Sequence, residues 1–138
     1  MYIPAHFKMN NTAEIRNFVQ MHPFGMLLIN SSEVSKVTHL PIQLHTDDAW
    51  NDSTNIHFSK ANLHAQALEN VESAVEVFFG TNGYISPRWY AAKDNVPTCD
   101  YTAVHAIGTL RKMGNKDELM KQVDDLTAEH EAGEDSPW

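Results

Sequence analysis

A single cysteine, Cys99, stands in the 138 residues. That excludes an internal disulfide framework and any zinc module built on several thiolates. Long apolar runs are missing too, and none approaches the ~20 residues needed to cross a bilayer as a helix. Basic residues are scarce: 10 Lys and Arg face 18 Asp and Glu, a net charge of −8. From residue 115 onward two lysines face eight acids, so most of the excess sits at one end. Sequence-independent duplex binding needs a basic footprint that displaces counterions. None is visible, so any nucleic-acid contact would need a local patch or a partner. The N-terminus lacks the basic-then-apolar layout of a secretion signal. A soluble, cytoplasmic, single-domain protein is expected, long enough to bury a core without staples.

The chain shows no internal repeat and no low-complexity segment. Asn11 or Thr12 can cap a helix over 12–21, with Ile15, Phe18 and Val19 on one stripe and Pro23 as its stop. Strands are expected over 24–30, with a hairpin turn at Ser31 and Ser32, and over 36–44, where Pro41 marks an edge or a bulge. The polar stretch 46–54 reads as a loop, 55–59 as a short strand, and 61–70 as a helix with Leu63, Ala67 and Leu68 inward. Ser73 to Gly80 is the most strand-like run. A connection over 81–98, rich in Gly, Pro and aromatics, precedes a strand over 100–113. Asn115 then caps an acidic amphipathic helix to about residue 131, with Leu119, Val123 and Leu126 on its apolar face. Short connections without βαβ alternation predict an antiparallel sheet or small barrel with peripheral helices, α+β but mainly β.

Three groups of residues can carry chemistry. The run His57-Phe-Ser-Lys-Ala-Asn-Leu-His64 ends a predicted strand and opens a helix. Ser59, Lys60 and Asn62 offer a hydroxyl, an ammonium and an amide beside free helix-start N–H groups, the parts of a phosphate site. The same residues equally describe an ordinary capped helix with an exposed lysine. The run Tyr84-Ile-Ser-Pro-Arg-Trp-Tyr90, with Lys93 and Thr98 after it, suits stacking on a planar heterocycle, or simply covers a core. Eight histidines raise a metal reading, but none forms a His-x-x-x-His pair. His39, His57 and His105 would have to meet in space, and structural histidines account for them as well. Cys99 has no Cys-His-Asn signature around it and reads as an incidental thiol. The acidic last helix reads as a solvated face or a partner surface.

In order, these segments resemble the PaiB-like family of FMN-binding negative transcriptional regulators, in the split-barrel group related to pyridoxamine phosphate oxidase. The resemblance is carried by Tyr2-Ile-Pro-x-His-Phe7, His22-Pro-Phe-Gly25, Thr38-His-Leu-Pro41 and His57-Phe-Ser-Lys-Ala-Asn62. It continues in Val77-Phe-Phe-Gly80, Tyr84-Ile-Ser-Pro-x-Trp-Tyr90, Val96-Pro-Thr98, Tyr101, Val104-His105 and Gly108. It closes in Leu126-Thr-Ala-x-His130-Glu-x-Gly133 and Pro137-Trp138. It implies a six-stranded split barrel that forms a homodimer, with FMN in a groove between subunits. The flavin phosphate would lie near Thr38, His39, Ser59, Lys60, Asn62 and His64. The segment bearing Tyr84, Trp89, Lys93 and Thr98 would lie over or beside the ring or ribityl chain. The chain departs from the family in two ways: Cys99-Asp100 replaces a usual Trp-Asn, and longer members carry a further C-terminal Lys-Leu-Ser-Gln-Asn-like segment.

Three functions fit this reading. The first is a flavin-binding regulator acting on transcription, with DNA as an inherited partner that the charge does not support. The second is a flavin-dependent oxidoreductase of small molecules, with no dedicated acid or base, although His39 and Tyr84 are within reach. The third is a cofactor-free barrel serving as an interaction module.

Overall fold

A computed structural model describes residues 2–29, 35–68, 71–92 and 94–135. The expected turn at Ser31 and Ser32 lies outside these residues. Helix α1 (Thr12–Met21) is set by Asn11, whose Oδ1 accepts from the N–H of Ala13 and Glu14 while its Nδ2 donates to Glu14 Oε1 at 3.0 Å. Strands β1 (Phe24–Ile29) and β2 (Lys36–Pro41) pair antiparallel, and β1 continues onto β5 (Ser73–Ile85), which pairs with β6 (Thr98–Thr109). The sheet order is β2-β1-β5-β6. Strands β3 (Gln43–Thr46) and β4 (Asp52–Asn55) form a second, two-stranded antiparallel sheet. Helix α2 (Leu63–Ala67) follows β4, and α3 (Lys116–His130) follows β6.

The fold is therefore mixed α+β with antiparallel sheets. Among the described residues the ladder does not close into a barrel. The expected strand 36–44 is two strands, because buried Ile42 donates its N–H to the Pro23 carbonyl at 2.8 Å and turns the chain from one sheet to the other. The sheets also meet where Thr54 Oγ1 donates to Glu76 Oε1 at 2.9 Å. Between them lies a core of Val19, Leu27, Ile29, Leu40, Ile42, Ala74 and Phe78, with Phe18, Phe58 and Val104 packed against it. Burial of these apolar side chains is the main driving force for the arrangement.

Gly80 sets the approach of α1. A Cβ there would stand 2.8 Å from Phe18 Cε2 and would also strike Thr102 Oγ1. The loop after β3 is fixed to the same helix. Arg16 Nε donates to both Asp52 oxygens at 2.9 and 3.2 Å, and its Nη2 donates to the Trp50 carbonyl at 3.0 Å. Its guanidinium also lies 5.0 Å from the centre of the Trp50 ring. These contacts hold Trp50 at a φ of 63°, in the left-handed region that a bulky residue rarely adopts.

Several expectations need correction. The loop read over 46–54 shrinks to 47–51, and the strand read over 55–59 instead occupies 52–55. The connection read over 81–98 starts only at Ser86, because Asn82 to Ile85 stay paired with Thr98 to Tyr101 beyond a bulge between Phe79 and Asn82. The last strand ends at Thr109 rather than Met113. Leu63 is exposed instead of inward, since α2 is one short turn whose Ala67 and Leu68 reach the core. On α3, Leu119 is exposed while Gln122 is buried. Gln43 Nε2 donates to Glu129 Oε2 at 3.0 Å and ties that helix to β3.

Candidate functional site

The residues expected to bind a ligand fall into two groups. The first is assembled where α2 lies against β2. An open cleft of ≈ 260 Å³ is lined there by Lys36, Val37, Thr38, Asn62, Leu63 and His64. Asn62 frames it: its Oδ1 accepts the His64 N–H at 2.9 Å, capping α2, and its Nδ2 donates to Thr38 Oγ1 at 3.3 Å. His64 is 1% exposed, and among the described residues neither ring nitrogen has a hydrogen-bond partner. One ring nitrogen of an imidazole always carries a proton, so an N–H donor goes unmet. A buried polar group in that state requires an explanation.

The backbone of the turn is already satisfied. Ser59 Oγ accepts from Ala61 N–H at 3.2 Å, the Ser59 carbonyl accepts from Asn62 N–H at 2.9 Å, and the Asn62 carbonyl accepts from Ala65 N–H at 2.9 Å. The helix-start N–H groups that sequence reasoning offered to a phosphate are therefore largely taken by the turn itself. Helix α2, five residues long, also has little macrodipole to add. What remains is a side-chain donor set: the Lys36 ammonium, the Thr38 hydroxyl, the Asn62 amide and the His64 ring. Such a set suits an oxyanion. Ser59 and Lys60 are exposed on the turn beside the cleft and do not line it. His39, next to Thr38 on β2, is exposed on the opposite face of the strand, where it pairs with Met26. Lys36 was missed from sequence because nothing in its neighbours marks it.

The second group sits far away. Tyr84 pairs with Cys99 and Thr98 with Ile85 at the end of the β5–β6 hairpin, and Trp89 follows in a short 3-10 turn over Pro87–Trp89. Tyr84 and Trp89 are 57% and 70% exposed, and Thr98 is exposed as well. Lys93 lies outside the described residues. Thr38 shares a row with Leu27 and Glu76, so Tyr84 is eight positions further along β5, roughly 26 Å at ~3.3 Å per residue. Within one chain the structure does not bring the two groups together.

The outer face of the four-stranded sheet is largely apolar and partly exposed. By register, Phe24, Met26, Leu28, Val37, Val75, Val77, Phe79 and Ile107 share it; Phe24, Val37, Phe79 and Ile107 are exposed, whereas Val77 is buried. His39 and His105 lie on the same face, separated by β1 and β5. Among the described residues no three His, Cys, Asp or Glu side chains converge as metal ligands. No described helix is long and apolar enough to cross a membrane. Burial raises the Glu76 carboxyl above its ordinary pKa, against the smaller opposing effect of the Thr54 hydroxyl. Asp52 is lowered, first by the Thr46 hydroxyl and then by Arg16.

Known proteins resemble this chain in sequence. The chain is 36% identical over 137 residues to protease synthase and sporulation protein PAI 2 of Bacillus subtilis (strain 168), an alignment covering 99% of this chain and 65% of that protein. It therefore spans about two-thirds of that relative's length. It is also 29% identical over 156 residues to YKL070W, an uncharacterized protein of Saccharomyces cerevisiae, covering 95% of this chain and 90% of the yeast protein. Residues 1–138 match the family described as "Putative FMN-binding domain". The chain belongs to that FMN-binding, PaiB-like family.

Proposed function

We propose that the protein binds FMN between two copies of itself and serves as a flavin-responsive regulator of the PaiB type. The observation that carries this is His64, buried and without a hydrogen-bond partner among the described residues, at a cleft whose other polar groups are Lys36, Thr38 and Asn62. That donor set fits the phosphate of a flavin mononucleotide. When bound, FMN supplies a redox-active, stackable ring, while the chain's residues bind, orient and shield it. The cleft alone is smaller than the ~300–1,000 Å³ of sites that enclose a whole small molecule. The rest of the enclosure falls to a second subunit. Its hairpin end offers Tyr84 and Trp89, and its apolar outer sheet face offers the area to dimerise.

In this reading residues 1–138 belong to one split-barrel domain, supported by the antiparallel strands and the Ile42 corner between the two sheets. Regulation in this reading follows flavin occupancy. Direct duplex binding is disfavoured by the net charge of −8. Titration of the purified protein with FMN, followed by visible absorption and flavin fluorescence and paired with sedimentation, tests the reading. One flavin per subunit on a dimer is expected. A flat titration, or a chain that stays monomeric with flavin in excess, overturns it.

A further inference from the structure

Strands β1, β2, β5 and β6 carry three residues charged at neutral pH, Lys36, Glu76 and Asp100. By register all three alternate onto the face that bears the core residues Leu27 and Phe78, and the outer face of these strands has none. A sheet face that meets water is normally polar, so this inversion marks the outer face as one that becomes covered. Two of its positions are nevertheless histidines. His39 and His105 end a single row, His39-Met26-Val77-His105, beside a row of Val37, Leu28, Val75 and Ile107. Both are exposed in the single chain. The helices packed on this sheet, α1 through Phe18 at Gly80 and α2 beside Thr38, lie against the other face. Their charged and titratable groups, Glu14, Arg16, His22 and His64, are therefore on the far side of the sheet from both histidines. Tyr84, Cys99 and Tyr101, further along the β5–β6 hairpin, gain no charge as pH falls.

We propose that self-association through this face is gated by pH, with His39 and His105 as the sensors: neutral, they let two copies join, and protonated, they part them. This rests on the reading, given above, that a second copy covers the outer face, but it can fail separately. An uncharged face is complementary to itself, and a contact between identical faces is isologous, so the joined surface holds four histidines. Histidine changes its charge between about pH 5 and 8. At the alkaline end of that range the rings are neutral and pack beside Met26, Val77 and their neighbours. At the acid end each ring takes a positive charge. The face supplies no carboxylate to pair it, and burying an unpaired charge costs far more than leaving it in water. The separate chain, with both rings exposed, therefore takes up protons more readily than the dimer, and acid draws the equilibrium toward monomer.

Sedimentation equilibrium with FMN in excess, from about pH 8 down to about pH 5.5, compares the wild-type protein with His39→Gln, His105→Gln and the double variant. Circular dichroism at each pH confirms folding. Wild type should be a dimer at the alkaline end, and its dimer dissociation constant should rise by about tenfold or more toward the acid end. The double variant cannot take up those protons and should stay dimeric throughout. Each single variant should keep about half of the wild-type pH slope. A wild-type dimer equally tight at both ends overturns the gate and leaves the dimer standing. A double variant that dissociates in acid as wild type does also overturns it, since other groups then carry the response. Should the double variant not fold, the single variants decide, and slopes equal to that of wild type overturn the gate. A wild-type chain that is monomeric at the alkaline end overturns the gate together with the reading of a dimer.

Discussion

Asn62 donates from Nδ2 to Thr38 Oγ1 at 3.3 Å and, through Oδ1, holds the N–H of His64 at 2.9 Å. One side chain thus joins the edge strand to the helix and sets both walls of the cleft. Two substitutions separate its roles. Asn62→Ala removes cap and clamp together, and should cost about 1 kcal/mol of stability in urea denaturation as well as FMN affinity. Asn62→Asp keeps an acceptor for the His64 N–H, and should hold its stability to within a few tenths of a kcal/mol. It replaces the amide donor with a negative charge, so FMN affinity should fall further than in Asn62→Ala. Equal affinity in wild type and Asn62→Asp would contradict the cleft's role.

Much of the fold was legible in the sequence, and the failures have physical causes. Asn11 and the stripe Ile15, Phe18 and Val19 announced α1 because local capping and periodicity decide that helix. The corner at Ile42 was invisible, since its cause is a bond to Pro23, nineteen positions away. Asn82 and Gly83 look like loop on composition, yet pairing with β6 makes them strand. In the cleft, Thr38, Asn62 and His64 could be named from the resemblance. Lys36 could not, because only the packing of α2 on β2 turns an ordinary strand lysine into a lining residue.

The packing of α1 on the sheet depends on Gly80. Gly80→Ala should lower stability by about 1–3 kcal/mol through overpacking against Phe18 and Thr102. Adding Phe18→Leu should recover part of the loss, and chemical denaturation of the single and double variants measures the coupling. Strict additivity would show that the ring does not limit the approach.

The two perturbed carboxylates predict opposite pH responses. Glu76 is raised by burial, so its protonated form favours folding. That contribution is full below the ordinary glutamate pKa and is lost as pH rises through the raised value in the fold. Glu76→Gln, which keeps the size and an acceptor for Thr54, should therefore melt higher than wild type at neutral pH. The gap should close as pH falls toward the ordinary glutamate range. Asp52 is lowered, so its contribution is present above the ordinary aspartate pKa and fades as pH falls through the depressed value. Asp52→Asn should accordingly be destabilised at neutral pH and converge on wild type in acid. Melting curves across pH 3–8 (about five points suffice) check both signs.

The outer sheet face gives a prediction about assembly. Ile107 is 77% exposed there, on the edge strand β6, and Ile107→Glu places a charge on the surface assigned to a second copy. Sedimentation should show a shift from dimer to monomer with little change in thermal stability, and FMN affinity should fall with it. A monomeric variant that binds FMN as wild type does would separate the flavin site from dimerisation.

The most direct measurement is a crystal structure of the protein grown with FMN. The account predicts the phosphate within hydrogen-bonding distance of Lys36, Thr38, Asn62 and His64, and the ring covered by a second subunit. A phosphate bound elsewhere, with that cleft holding only solvent, would contradict it.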